Sequence, residues 1–437
     1  MRIAFLLTRS QEKFALKKAG ARCTITPLVA EYMGLLLFSP PFSEYGCQAG
    51  RKRVSLPGNR SKTCRTGLYL WMVGMDGSSF WFALGRPLAP LYAGIMRLRE
   101  HAYRRGILRQ TRLSVPVISV GNLTLGGSGK TPLVQYLASM LREKGWKPAV
   151  ISRGYGGATR EPVNVVSDGN RVLLDAARVG DEPCLLAETL EHVPVLTGVV
   201  RRLPAARAIE LGADVLVLDD GFQHLALARD LDLVLFHGDI LAGNSRVFPG
   251  GVLREPVAAL HRCDGFVITH IRDSTRERGH RFARLLQERF PEKPVFFTGV
   301  APVALVRMTE QGLLVDELAT HEQHRWFAFC GIAHPRVFER TLQNMGVSLA
   351  GFRSFGDHFR YRQEHLDQLV AEASQQGATA LMTTEKDLVK LRHLQMDLPV
   401  SGVRIRVHAD VTFDTFVVHR LQQWLEEHGR NRGQMSS

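Results

Sequence analysis

Residues 119–132 read SVGNLTLGGSGKTP and place Gly126, Gly127, Ser128 and Gly129 directly before Lys130 and Thr131. Glycines allow a tight backbone whose N–H groups converge on one point, and a helix that starts there adds the positive end of its dipole. A lysine at that point reaches the outer phosphates of a nucleotide, and a following threonine hydroxyl takes one position on Mg²⁺. The strict phosphate-loop spacing is not met, because Thr124 stands where its first glycine belongs. The segment therefore reads as a variant phosphate loop. The plainer reading is a glycine-rich turn before an ordinary helix.

Other clusters carry complementary chemistry. VLVLDDGFQH (215–224) is an apolar strand ending in Asp219 and Asp220. Two carboxylates at such a strand end suit Mg²⁺ beside a phosphate loop, bound directly or through water. A solvated turn is the alternative. In GDEP (180–183) Asp181 either caps a helix or acts as a base that takes a proton from an acceptor hydroxyl. SRGYGG (152–157) ends a strand with Arg153 and is either a phosphate contact or only a turn. REP (254–256) and GDHF (356–359) add Arg254, Glu255 and His358, the last beside Asp357, although a lone histidine is more often structural. The remaining histidines make no metal pattern.

These groups need elements to position them. The run from Val115 to Val120 reads as a strand feeding the glycine loop, and the run from Pro132 to Lys144 as the helix leaving it. PAVISRGY, PVLTGV, DVLVLDD and DLVLFHG are further short apolar runs, with helical stretches at 132–144, 182–191 and 201–212. Near-continuous Val/Ile/Leu strands alternating with helices predict an α/β fold, a parallel sheet with helices on both faces. Right-handed crossovers would gather the loops after the strands on one ligand-binding edge. Residues 113–300 would form this core. WFAFCGIA, a helix through 335–345 and ATALMTTEKD mark a smaller second α/β lobe over 301–437.

At 437 residues the chain is long enough for two or three cores, and six scattered cysteines without a C-x-x-C fit a reduced compartment without structural zinc. No apolar run approaches the roughly 18 residues that span a bilayer. The net charge of +14 is uneven, with twelve basic against three acidic residues in 1–74. That stretch lacks sustained periodicity. It reads as a poorly ordered basic extension or as sequence upstream of a start near Met75. In 75–112, Leu84, Leu88, Leu91, Ile95 and Leu98 recur at helical spacing, and Arg97, Arg99, Arg104, Arg105, Arg109 and Arg112 crowd the far half. Such a helix either lies in a membrane interface bound to anionic lipid or packs on the protein's own core.

The blocks VGNLTLGGSGKTP, SRGYGG, VGDEP, LDDGFQH, FPGGVLREP, CGIAHP, GDHF and TTEKD occur in the order seen in the tetraacyldisaccharide 4′-kinase family, the lipid A kinases, which this chain resembles from about Phe80 to beyond residue 400. The resemblance implies a P-loop nucleoside-triphosphatase-like core with a smaller α/β lobe. It implies transfer of the ATP γ-phosphoryl group, with Mg²⁺, to the 4′-hydroxyl of an acylated glucosamine disaccharide 1-phosphate, giving lipid IVA. It also implies work at the cytoplasmic face of the bacterial inner membrane, with a hydrophobic N-terminal helix as anchor. By matching position, Lys130 binds phosphate with Gly126, Gly127, Ser128, Gly129 and Arg254. Thr131, Asp219, Asp220 and Glu255 lie at the metal. Asp181 is the base, supported by His358. Neither nucleic acid nor an obligate protein partner is expected. Partitioning ATPases and metal-delivery GTPases, switches with similar phosphate loops, are the rival class. They often carry a lysine before the paired glycines, where this chain has Leu125, and the chain also lacks an N-K-x-D guanine motif.

A chain started at Met75 is expected to keep the turnover of the full chain; a loss of turnover would place residues 1–74 in the working protein.

Overall fold

The computed structural model describes residues 77–126, 129–159, 161–271, 273–309 and 312–434. The expectation for residues 1–74 lies outside the described residues. The first described elements are helices α1 (Gly77–Gly85) and α2 (Ala89–Arg104), joined by a 3-10 turn in which Pro87 pre-sets the helical φ. Strand β1 (Val117–Asn122) then runs through the glycine loop into α3 (Lys130–Glu143). Next come β2 (Pro148–Ser152), β3 (Asn164–Ser167), the short α4 (Ala176–Val179), α5 (Asp181–Thr189), β4 (Val195–Thr197), α6 (Arg202–Glu210) and β5 (Val215–Asp219). Strands β6 (Leu231–His237) and β7 (Gly265–Thr269) and helix α7 (Asp273–Arg289) complete this half. The second half holds β8 (Val295–Thr309), β9 (Gly312–Asp316), β10 (Trp326–Cys330), α8 (Pro335–Asn344), β11 (Leu349–Ser354) and α9 (Gln363–Gln375). It ends with β12 (Ala380–Thr384), the short α10 (Glu385–Leu388), β13 (Val400–Ala409) and α11 (Val411–Gln434).

Strands β1, β2, β5, β6 and β7 are buried along their whole length, as a sheet covered on both faces requires. Their order is β7-β6-β1-β5-β2-β4-β3, with β3 antiparallel at the edge and the other pairs parallel. The chain leaves β1 toward β5 and β2 on one side and returns to β6 on the other. The loops after β1 and β5 therefore part at a topological switch point, where open α/β sheets bind ligands.

Strand β8 carries the sheet into the second half. It pairs parallel with β7 up to Thr298, then antiparallel with β13 from Thr298 to Val306, and the sheet continues as β12-β10-β11. Residue 300 falls inside this strand. Helix α3 buries Leu133, Val134, Leu137, Ala138 and Leu141, the i, i+4, i+7 stripe of a helix laid on a sheet, and Phe413, Val417 and Leu421 of α11 join the same cluster. A separate cluster around Phe327, Phe329, Leu366, Leu369, Leu381 and Leu388 holds the β10–β13 region.

The stripe on α1 and α2 faces outward. Leu84, Leu88, Leu91 and Leu98 are each more than half exposed, and α2 buries no residue fully. Among the described residues, no helix is long and apolar enough to cross a membrane.

Candidate active site at the carboxyl edge of the sheet

The glycine loop leaves β1 with Asn122 and Thr124 buried and Gly126 and Gly129 at positive φ, +100° and +76°. Gly129 is needed twice over: its conformation is left-handed, and a Cβ there would lie 2.8 Å from His270 Cε1. Lys130 and Thr131 open α3 immediately after it. Gly127 and Ser128 lie outside the described residues. Lys130 Nζ donates to Asn122 Oδ1 at 3.1 Å and lies 3.3 Å from Asp220 Oδ1. The lysine is thus held at the loop mouth by an amide and a carboxylate.

Asp219 and Asp220 have opposite environments although they are neighbours. Asp219 ends β5 fully buried, and the Ser152 hydroxyl at the end of β2 donates to its Oδ2 at 3.2 Å. Its Oδ1 is buried without a hydrogen-bond partner. Burial, with the Glu182 and Asp220 charges, pushes its carboxyl up. Asp220 turns at φ +52°, a left-handed conformation that a non-glycine residue holds only when its surroundings impose it. The buried Arg201 supplies that constraint by donating from Nη1 to the Asp220 carbonyl at 2.7 Å. Arg254 Nη1 donates to both Asp220 carboxylate oxygens, at 3.0 and 2.9 Å. Burial raises the Asp220 carboxyl, but Lys130, Arg254 and Arg201 outweigh it and hold the group well below the usual range. Glu255 is buried and accepts from Arg262 Nη2 at 2.6 Å.

Asp181 begins α5 and is buried. His358 Nδ1 lies 3.0 Å from both of its oxygens, with Lys386 Nζ at 3.6 Å and Lys390 Nζ at 3.5 Å from Oδ2. Burial pushes the Asp181 carboxyl up; Lys386, the His358 hydrogen bond and Lys390 together override it and hold the group as an anion. His358, itself at φ +57°, is raised above its ordinary value, first by its hydrogen bond to Asp181 and against burial. The lysines are set by the TTEKD segment. Thr384 caps α10, and the fully buried Asp387 accepts from Gly331 N, Thr384 Oγ1 and Lys390 Nζ at 2.9, 2.7 and 2.8 Å. SRGYGG is a close-packed turn beneath this group. A Cβ on Gly180 would lie 2.2 Å from the Tyr155 carbonyl oxygen, and one on Gly157 would lie 2.5 Å from that of Arg178.

Residues over two hundred positions apart therefore form one edge: the phosphate loop, the acidic pair with Arg254, and Asp181 clasped from the second half of the chain. Sequence reading named Lys130, Asp219, Asp220, Arg254, Asp181 and His358 but missed Asn122, Arg201, Lys386 and Lys390. A lysine at the start of a short helix beyond a strand was the available signal for Lys386, and Lys390 follows it by one turn, yet nothing local aims either at Asp181.

The residues suit a hard cation beside phosphates. Asp219 Oδ1 is a buried acceptor without a hydrogen-bond partner, and a carboxylate oxygen is the ligand type such a cation takes. Among the described residues no group of three or more His, Cys, Asp or Glu could hold a metal. A Mg²⁺ would thus rest on one or two carboxylates, the Thr131 hydroxyl and phosphate oxygens.

The family model described as tetraacyldisaccharide-1-P 4′-kinase matches residues 81–426. A tetraacyldisaccharide 4′-kinase of Desulfotalea psychrophila is 46% identical over 345 residues, 79% of this chain and 98% of that protein. One from Syntrophus aciditrophicus is 40% identical over 339 residues, 74% and 89% of the respective chains. The crystal structure of an LpxK from Aquifex aeolicus in complex with ATP is 29% identical, with a TM-score of 0.61 covering 77% of this chain and 98% of that one.

The raised His358 value fixes a sign. Its pairing contributes fully below about pH 6.5 and is lost as pH rises through the raised folded value. In urea titrations the stability deficit of His358→Gln is expected to shrink as pH rises above about 6.5. A deficit that stays constant would remove the charged pairing.

Proposed function

Since this chain belongs to the tetraacyldisaccharide-1-P 4′-kinase family, we propose that its phosphate loop and Asp181 together move the γ-phosphoryl group of ATP to the 4′-hydroxyl of tetraacyldisaccharide 1-phosphate. The family match sets aside the partitioning or metal-delivery switch. The observation that carries the assignment of roles is Asp181 itself: a buried carboxylate, kept ionised, on the same sheet edge as Lys130 and Asp220.

Phosphoryl transfer asks a protein mainly to position groups and to offset charge. Lys130 swings from Asp220 and Asn122 to the β- and γ-phosphates, and Arg254, released from Asp220 in part, meets the same charge. Thr131, Asp219 and Asp220 would hold a Mg²⁺, which would supply charge neutralisation for the phosphates. Glu255, expected at the metal, has its carboxylate engaged by Arg262 instead, so we assign it no metal contact. The transition state is loose, so the hydroxyl proton need not leave early. Asp181, a weak base while Lys386 and Lys390 stand by, orients the hydroxyl and accepts its proton late. His358 holds that carboxylate in position and shares the proton's charge.

The exposed leucine stripe of α1 and α2 supports contact with a lipid surface, where an acylated substrate is found. The arginines nearby favour an anionic one. We place the protein at the membrane surface, at the cytoplasmic face where ATP is supplied.

Asp181→Asn is expected to lower kcat by about 10²–10⁴-fold, the range for a lost acid–base group, with the KM for ATP little changed. Near-normal turnover would remove Asp181 from the reaction. Leu91→Ser combined with Leu98→Ser is expected to weaken vesicle binding by about tenfold or more, as each buried leucine contributes ~1.5–3 kcal/mol. Unchanged partitioning would dismiss the stripe as a lipid contact.

A further inference from the structure

Helix α2 touches the site through a face of its own. Tyr92, Arg99 and Glu100 are spaced seven and eight residues apart and so share one side of the helix. Leu91 and Leu98 each precede them by one position, about 100° around the axis, and point to solvent.

Tyr92 and Arg99 each begin a chain of contacts that ends at Lys130, and Glu100 begins one that ends at Glu255 and Phe222. The Tyr92 hydroxyl donates to the Arg254 carbonyl at 3.0 Å, and the Arg254 guanidinium clamps Asp220, which holds Lys130. Arg99 Nη2 donates to the Gln223 carbonyl at 3.0 Å. Gln223 Nε2 then donates to the Asn122 carbonyl at 2.9 Å, and Asn122 Oδ1 accepts from Lys130. Glu100 pairs with Arg262 Nη1 at 3.0 Å. Arg262 holds Glu255 through its other nitrogen and lies 4.5 Å over the Phe222 ring. These connections have little slack. A Cβ on Gly121 would lie 2.5 Å from Phe222 Cβ, and one on Gly85 would lie 2.4 Å from the Pro249 carbonyl oxygen. Close-packed contacts of this kind pass on a displacement rather than absorbing it.

We propose that Tyr92 and Arg99 are positioning residues for phosphoryl transfer, setting Arg254, Asn122 and through them Lys130 from the seat of helix α2, which Glu100 ties down through Arg262. The helix is then more than an anchor: one face meets lipid, and an adjacent face holds the nucleotide-binding edge in register. Arg99, grouped by sequence with the basic cluster, belongs to the second face. This inference rests on the reading of Lys130, Asp220 and Arg254 as the groups that handle the triphosphate.

The test uses the full chain and the variants Arg99→Ala, Arg99→Lys and Tyr92→Phe, the last removing a single oxygen. Affinity for MgATP is measured without lipid, then kcat and KM with tetraacyldisaccharide 1-phosphate in micelles, and partition onto phosphatidylglycerol vesicles. Arg99→Ala and Tyr92→Phe are expected to lose about tenfold in MgATP affinity or kcat, the scale seen when an outer partner of a positioned group is removed. Vesicle partition should stay at the wild-type level, and Arg99→Lys should recover part of the loss. Wild-type MgATP affinity and kcat in both Arg99→Ala and Tyr92→Phe, with only vesicle binding or lipid KM altered, would overturn the proposal and leave α2 an anchor. Failure of the underlying reading looks different: the unaltered chain would transfer no phosphate to the lipid, or Lys130→Ala would bind MgATP normally. The nucleotide affinity measured without lipid still reads the effect of α2 when the acceptor is another molecule.

Discussion

The Asp220 carboxylate is the point at which the charges of this site meet. Lys130 comes to it from the phosphate loop and Arg254 from the segment after β6, while Arg201 fixes the backbone carbonyl of the same residue. Three cations around one anion would be costly to hold unless the anion were itself pinned, and its left-handed backbone is the sign of that constraint. Neighbouring Asp219 lies deeper and keeps one oxygen unmatched. The pair thus offers a bound counter-ion for the lysine and an open acceptor for a metal within two consecutive residues.

Asp181 is arranged on a similar principle with different parts. Its surroundings come from the second half of the chain: His358 from the turn after β11, Lys386 from α10 and Lys390 from the 3-10 turn that follows it. Buried Asp387 keeps Lys390 in place by holding it together with Gly331 N and Thr384. A buried carboxylate paired with one exposed lysine would contribute little. Here the partners are themselves mostly buried, so the geometry is held and the anion is retained. Further ties, Lys386 to Glu182 and Arg392 to Glu188, fasten α5 to the same region. The long strand β8 lets one sheet carry both halves, which brings these groups to a single edge.

The leucine stripe of α1 and α2 illustrates how little periodicity says about what lies opposite it. Helical spacing of Leu84, Leu88, Leu91 and Leu98 is equally suited to a core and to a lipid surface. In the structure those leucines are exposed rather than packed on the core, while Tyr92, Arg99 and Glu100 face the protein. The arginines after Leu91 likewise read as one basic cluster, yet Arg99 is held inward by Gln223.

The strands of the core, the glycine loop, the helix from Lys130 and the acidic strand end at Asp219 and Asp220 are legible from the amino-acid order, because each depends on residues close together in the chain. Continuous Val/Ile/Leu runs, glycine at a left-handed turn and a lysine at a helix start are all local signals. The ordered blocks also carried the family. The environment of each group is set by the folded chain. Asp181 as cap and Asp181 as base have the same local sequence; a histidine 177 residues away and two lysines separate them. Glu255 follows Arg254 directly, but its partner is Arg262, which α2 holds from the far side. A charge takes its role from what is brought within a few ångströms of it, and that distance is set by the packing of the whole sheet rather than by spacing along the chain.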